Sequence, residues 1–345
     1  MVTAVVRGVG TATPAAVSQQ DLWDGFFAGH YTGTGQVLAR RIFANAGVVT
    51  RHGVANPLVE DVSRWSTGRR MDRYLTEAVP LGKEALGGAL ADAAVDPRRL
   101  GLLAVCSCTG YATPGLDILL ARDLGLAPDC QRLFVGHMGC YAALPGLRAV
   151  ADFVRVSGRP AALLCVELAS LHVQPPTVDT GQMVAHALFS DAAAAVVLAP
   201  GGEGYEVVRV GSVTDTATAG HMTWEVTDLG FRMGLSPLVP EALATKVAGF
   251  VADLLAGAGL PAAAVDGWAV HPGGPHILDV VERELALAPA AIATSRGVLA
   301  AHGNCSSPTV LLILEELRRA GCAHVVALAF GPGLTLYAAL LRRHG

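Results

Sequence analysis

Along the chain, short runs of consecutive apolar residues alternate with longer stretches in which apolar side chains recur at helical spacing. The first pattern predicts strands and the second helices. Thr3 to Val9, Leu102 to Cys108, Ala161 to Val166 and Ala192 to Leu198 read as strands, and Arg132 to Val135 reads as a further, buried one. Leu102 to Cys108 is continuously apolar, as expected of a strand covered on both faces of a parallel or mixed sheet. Helical spacing predicts helices over Met71 to Val95 with a kink at Pro80, Ile118 to Asp123 and Tyr141 to Arg155. Ser18, with Asp21 three residues on, forms the start of a capped helix through Phe27. Residues 32–57 are mixed in pattern. The run Pro200-Gly201-Gly202-Glu203-Gly204 marks a boundary, after which the alternation recurs. Strands are expected at Tyr205 to Val213, Gly267 to Val270, His324 to Phe330 and Leu334 to Leu341. Helices are expected at Glu241 to Ala256, Ile277 to Leu287 and Ser307 to Ala320. Two similar halves, 1–200 and 205–345, each ending in paired apolar strands, fit a duplicated α/β fold with helices between and outside sheets.

Composition narrows the function. The 345 residues are 52% hydrophobic and 16% charged with 40 glycines, enough for a large core with many tight corners. A net charge of −4 gives no support for a nucleic-acid surface. Lys83 and Lys246 are the only lysines, so positive charge is carried by arginine. Seven cysteines without framework spacing predict reduced thiols in the cytoplasm, and no Cys or His spacing suggests a metal. The N-terminal MVTAVVRGVGTATP is unlike a signal peptide, and no apolar run of about twenty residues predicts a membrane span.

The candidate chemistry lies at three corners. Cys140 follows a predicted strand and a turn through Gly136 and Gly139, and precedes a long apolar helix, whose N-terminus would favour a thiolate. A small buried core cysteine is the plain alternative. His271 ends the strand Gly267 to Val270 and enters Pro-Gly-Gly-Pro, at the rim where α/β active sites gather. Asn304 sits beside Gly303 just before a helix, where an ordinary turn asparagine is the common case. Together, a thiolate that accepts an acyl group and two donors for a thioester enolate suit decarboxylative Claisen condensation.

Gly139-Cys140, VHPGGP from Val270 to Pro275, GNCSSPTVLLILEE from Gly303 to Glu316 and FGPGLTL from Phe330 to Leu336 make the chain resemble a type III polyketide synthase. This is the chalcone synthase-like family of the thiolase fold. The resemblance implies a five-layered α/β/α/β/α arrangement and a homodimer without metal or redox cofactor. It also implies an acyl-CoA starter loaded on Cys140 and extended with malonyl-CoA. In it, His271 and Asn304 match the residues that sustain the thiolate and stabilise the enolate. Phe189 and Phe231 match gatekeepers, and Cys108, Thr109, Thr113 and His172 match cavity positions. Arg41, Gly273 and Gly274 match coenzyme A contacts. Glu167 is the candidate for a buried polar network beside the cavity. Thr113, where plant relatives carry Met, and Cys108 suggest room for an aliphatic starter. The implied product is an alkylpyrone or alkylresorcinol-type ring. Two rivals remain: a single-round ketoacyl synthase of the III type, acting on an acyl-carrier protein, and a degenerate thiolase-fold binding module.

Overall fold

A computed structural model describes residues 2–345, so the first residue of the expected N-terminal half lies outside it. The N-terminal half runs β1 (Ala4–Ala12), β2 (Ala16–Ser18), α1 (Gln19–Leu22), α2 (Ala28–His30), α3 (Gly33–Ala44), β3 (Thr50–His52) and α4 (Thr67–Asp92). It continues through β4 (Leu102–Cys106), α5 (Leu116–Leu124), β5 (Gln131–Val135), α6 (Ala143–Ser157), β6 (Ala161–Leu168), α7 (Thr180–Leu188) and β7 (Asp191–Pro200). After a short turn come β8 (Gly204–Thr214), β9 (Met222–Thr227), β10 (Gly230–Leu235), α8 (Val239–Ala256) and β11 (Gly267–Val270). The chain ends with α9 (Pro275–Glu284), α10 (Ala293–His302), α11 (Pro308–Ala320), β12 (His324–Gly331) and β13 (Thr335–His344).

The strand pairing shows the duplication directly. In the first half the order β1-β7-β6-β4 is antiparallel, antiparallel, parallel, and the order β8-β13-β12-β11 repeats those senses. The half-sheets meet where β1 and β8 pair over Val5–Glu206 and Val6–Tyr205. Alternate residues of each strand serve different cores, as a period of two requires. Ala104 and Cys106 of β4 face a central core with α6 and α11, whereas Leu103 and Val105 face an outer core with α4. On the other half, Ala327 turns to the central core and Val326 to an outer core with α8. The layers are therefore α4, half-sheet, α6 with α11, half-sheet, α8.

Local details follow side-chain chemistry. Ser18 Oγ accepts the Asp21 backbone N–H at 2.9 Å, and the capped segment continues past Phe27 to His30. α4 runs through Pro80. One expectation is corrected. Residues 132–135 form an edge strand rather than a buried one, because β5 pairs only with β4 and leaves Leu133 39% and Phe134 40% exposed. The β9–β10 hairpin and the helices α3, α7 and α10 were not anticipated. No helix among the described residues is long and apolar enough to cross a membrane.

Candidate active site

Cys140 lies in a single 3-10 turn, Gly139–Tyr141, between β5 and α6. The turn is tight for identifiable reasons. Gly139 has φ +69°, and a Cβ there would come within 2.7 Å of Pro332 Cδ. Gly331 faces it from β12, where a Cβ would meet the Tyr141 ring at 2.8 Å. The terminal Gly-Pro-Gly thus clamps the cysteine turn from the other half of the molecule. Cys140 is buried, and burial pushes its thiol up to about 12, with Ser306 and Asn304 pulling against that shift. The helix end therefore does not by itself yield the expected thiolate.

His271 is fully buried at the end of β11, its N–H bonded to Leu328 O at 2.8 Å. Neither of its ring nitrogens has a partner, a rare state for a buried polar group. Burial lowers it to about 3, so it rests neutral. Burial thus opposes charge on the thiol or the imidazole alone. A proton moved from one to the other would produce opposite charges that offset each other.

Asn304 is tied to the end of α7. Its N–H donates to Leu188 O (2.8 Å) and its carbonyl accepts from Ser190 N (3.0 Å), a parallel bridge opposite Phe189. Gly303 before it has φ +69°, with space for no side chain against Leu188 O. Asn304 Oδ1 accepts the Ser306 N–H at 2.8 Å, which leaves the amide NH2 as donor. Cys140, His271 and Asn304 all line one cavity of about 910 Å3, to which Gly273, Gly274 and Phe189 also contribute. Ile42 of α3 and Asn45, which caps the end of that helix, line it as well. Arg41, one residue before Ile42, is exposed on this helix and does not itself line the cavity.

Two smaller spaces adjoin. A pocket of about 30 Å3 is bounded by Cys140, Cys108, Thr109, Trp224 and Ser306. Another of about 60 Å3 is bounded by His172, Trp224, Phe231 and residues of β3 and α7. Phe189 borders all three spaces, whereas Phe231 borders only the last. His172 is fixed as a neutral ring: Nε2 bonds Thr109 O (2.7 Å), Nδ1 accepts the Phe231 N–H (3.0 Å), and it stacks on Phe231 at 4.5 Å. Burial lowers it to about 4. Thr113 is corrected: it lies exposed beside Tyr111 and lines none of these spaces. Beyond Phe189 the two spaces are small, and Trp224, whose Nε1–H donates to Cys108 O at 2.8 Å, lines both of them.

Glu167 is the centre of the expected polar network. Its carboxyl accepts from the Cys108 N–H (3.0 Å), Thr109 Oγ (2.7 Å) and Ser307 Oγ (2.8 Å). Burial nevertheless raises it to about 7. Trp224, Ser306 and Ser307 were missed as site residues. A Ser just before a helix reads as an ordinary cap, and a lone Trp in an unpredicted hairpin carries no sequence signal.

Comparison with known proteins gives consistent matches. Residues 2–202 match the N-terminal domain of chalcone and stilbene synthases, and residues 213–344 match their C-terminal domain. A 1,3,6,8-tetrahydroxynaphthalene synthase of Streptomyces peucetius subsp. caesius is 35% identical over 90% of this chain and 85% of that protein. An alpha-pyrone synthesis polyketide synthase-like protein of Mycobacterium tuberculosis is 31% identical over 96% of this chain and 89% of its own. The crystal structure of PKS-I from the brown alga Ectocarpus siliculosus superposes with a TM-score of 0.93 at 27% identity, covering 99% of both chains.

Proposed function

The chain belongs to the chalcone and stilbene synthase family of type III polyketide synthases, and on that premise we propose that Cys140, His271 and Asn304 carry an iterative condensation. Family members are condensing acyltransferases that use coenzyme A thioesters and need no further cofactor. In the proposed cycle, Cys140 Sγ attacks the carbonyl of an acyl-CoA starter, and coenzyme A leaves as the thiol with the Cys140 proton, passed through His271. Malonyl-CoA then loses carbon dioxide, and the two electrons of the broken C–C bond form an enolate. The His271 and Asn304 N–H groups stabilise its oxygen. The enolate carbon attacks the Cys140 thioester and expels the thiolate, which takes the lengthened chain back for the next round. Ring closure gives a pyrone or resorcinol-type product.

The observation that carries this reading is the partnerless His271 imidazole in the same cavity as Cys140 and Asn304. Arg41, exposed and next in the chain to the cavity-lining Ile42, is the residue proposed to contact a coenzyme A phosphate. The two family matches, divided near residues 202–213, support two functional halves. The exposed apolar edge at Leu133 and Phe134 supports a homodimer, and seven free cysteines support a cytoplasmic place. Incubation with acyl-CoA primers and malonyl-CoA, without any carrier protein, should yield polyketides, and Cys140→Ala should abolish both product and iodoacetamide-sensitive acyl labelling. Products limited to one condensation, or labelling that persists in the variant, would overturn the reading.

A further inference from the structure

The walls of the cavity of about 910 Å3 meet in a circuit. Ile42 of α3, Gly181 at the start of α7, Pro237 before α8 and Pro275 at the start of α9 all line it. These four segments touch in turn. A Cβ on Gly35 of α3 would lie 3.6 Å from Met183 of α7, and one on Gly181 would lie 3.0 Å from Leu235 O. α8 packs on α9, and a Cβ on Gly47, just past α3, would meet Pro275 at 2.9 Å.

What this rim shows to solvent is apolar and basic. Leu38, 41% exposed, stands one turn before Ile42 on α3. The exposed Val37 beside it has Arg40 and Arg41 three and four residues on, so all share one outward face. Val178, just before α7, is 87% exposed, and Leu238, next to Pro237, is 50% exposed. Exposed apolar residues scattered singly need no explanation, but three segments of one opening do. Neither arginine is in an ion pair among the described residues, whereas the two acids that line the cavity, Asp179 and Asp279, are held by Arg232 and Arg296 at 2.8 Å. Glu241, exposed in the first turn of α8, is the acid that opposes them. The positive charge here is therefore local, since the whole chain carries −4.

Exposed apolar side chains beside free arginines are the features that seat a protein on an anionic lipid surface. An acidic soluble partner would answer the arginines of α3, but Val178 and Leu238 lie on other segments and need apolar contact. We propose that the cavity mouth is a docking surface for an anionic lipid membrane. Val37, Leu38, Val178 and Leu238 enter the headgroup layer, and Arg40 meets lipid phosphates. Docked so, the cavity opens onto lipid rather than water, and acyl thioesters with aliphatic tails enter it from the bilayer. That use of the surface rests on the reading of Cys140 as the acyl-bearing nucleophile, whereas the docking itself does not.

The test is flotation of the whole protein with vesicles of phosphatidylglycerol and phosphatidylcholine in equal parts, beside vesicles of phosphatidylcholine alone. The protein should float with the anionic vesicles and stay behind with the neutral ones. Val178→Ser combined with Leu238→Ser should lower the partition coefficient at least tenfold, and Arg40→Gln should lower it about fivefold. None of these three residues lines the cavity, so loading of a short-chain acyl-CoA from solution, read by intact-protein mass spectrometry, should match the wild type in both variants. A wild-type protein left in the soluble fraction, or a coefficient unmoved in the double variant, would overturn the docking surface. Retention on an immobilised acyl-carrier protein without any flotation would overturn it in favour of an acidic soluble partner. Flotation without acyl loading in the wild type would uphold the surface and overturn the reading of Cys140.

Discussion

At the scale of single residues, the site is governed by burial working against charge. Cys140 and Glu167 are raised by it, and His271 and His172 are lowered by it. Glu167 shows the conflict most sharply, since three donors converge on a carboxyl that still titrates near 7. Its folded value is above its unfolded one, so the stability it contributes is present in full below about pH 4.5 and is lost as pH rises through 7. The shift corresponds to about 3 kcal/mol. Glu167→Gln has no proton to lose. Its melting temperature relative to the wild type should therefore rise steadily between pH 5 and pH 8, read by calorimetry at each pH. A difference independent of pH would mean that the carboxyl is ionised throughout. Cys140, His271 and Asn304 were legible in the sequence because each stands beside glycine at a strand–helix corner, and the motifs around them are specific. The serines that share the network with Glu167 were not, because a Ser before a helix looks the same whether it caps or bonds a carboxylate.

At the scale of elements, continuous apolar runs identified most sheet strands, since burial on both faces leaves no alternation to misjudge. The failures were of another kind. β9 and β10 are half-exposed and pair only with each other, so their pattern is neither helical nor fully apolar. β5 looked buried because Leu133, Phe134 and Val135 are three consecutive apolar residues, and sequence does not show which strand ends a sheet. Close packing of elements also leaves a testable mark. α4 crosses β1 at Gly8 and Gly10, where a Cβ would collide with the backbone of Ala85 and Ala89. Since backbone cannot yield as a flexible side chain does, Gly10→Ala should push α4 from the half-sheet and destabilise the protein by about 1–3 kcal/mol. Denaturant unfolding measures this as a lower midpoint. An unchanged midpoint would show that helix and strand can separate freely at that crossing.

At the scale of the whole molecule, the duplication closes every strand of the nine-stranded sheet on both sides except at its two ends, β11 and β5. An open edge carrying large apolar groups invites another chain. β5 exposes Leu133 and Phe134, and the loop before α5 exposes Tyr111 by 70%. Loop and edge lie on one side, because Asp117, at the start of α5, is ion-paired with Arg132 of β5 at 2.9 Å. Thr113 belongs to that same loop, which explains why a residue expected in the cavity is found facing outward. A specific interface of ordinary size covers about 800 Å2 on each partner, and this combined surface is the apolar candidate for it. The protein should sediment at a mass near two chains. Phe134→Asp places a charge at the centre of the proposed contact, where a buried unpaired carboxylate costs several kcal/mol. It should therefore move the equilibrium to single chains at micromolar concentration with unchanged far-ultraviolet circular dichroism. A wild-type protein that sediments as a single chain, or a Phe134→Asp protein that stays dimeric, would place the homodimer contact elsewhere or remove it.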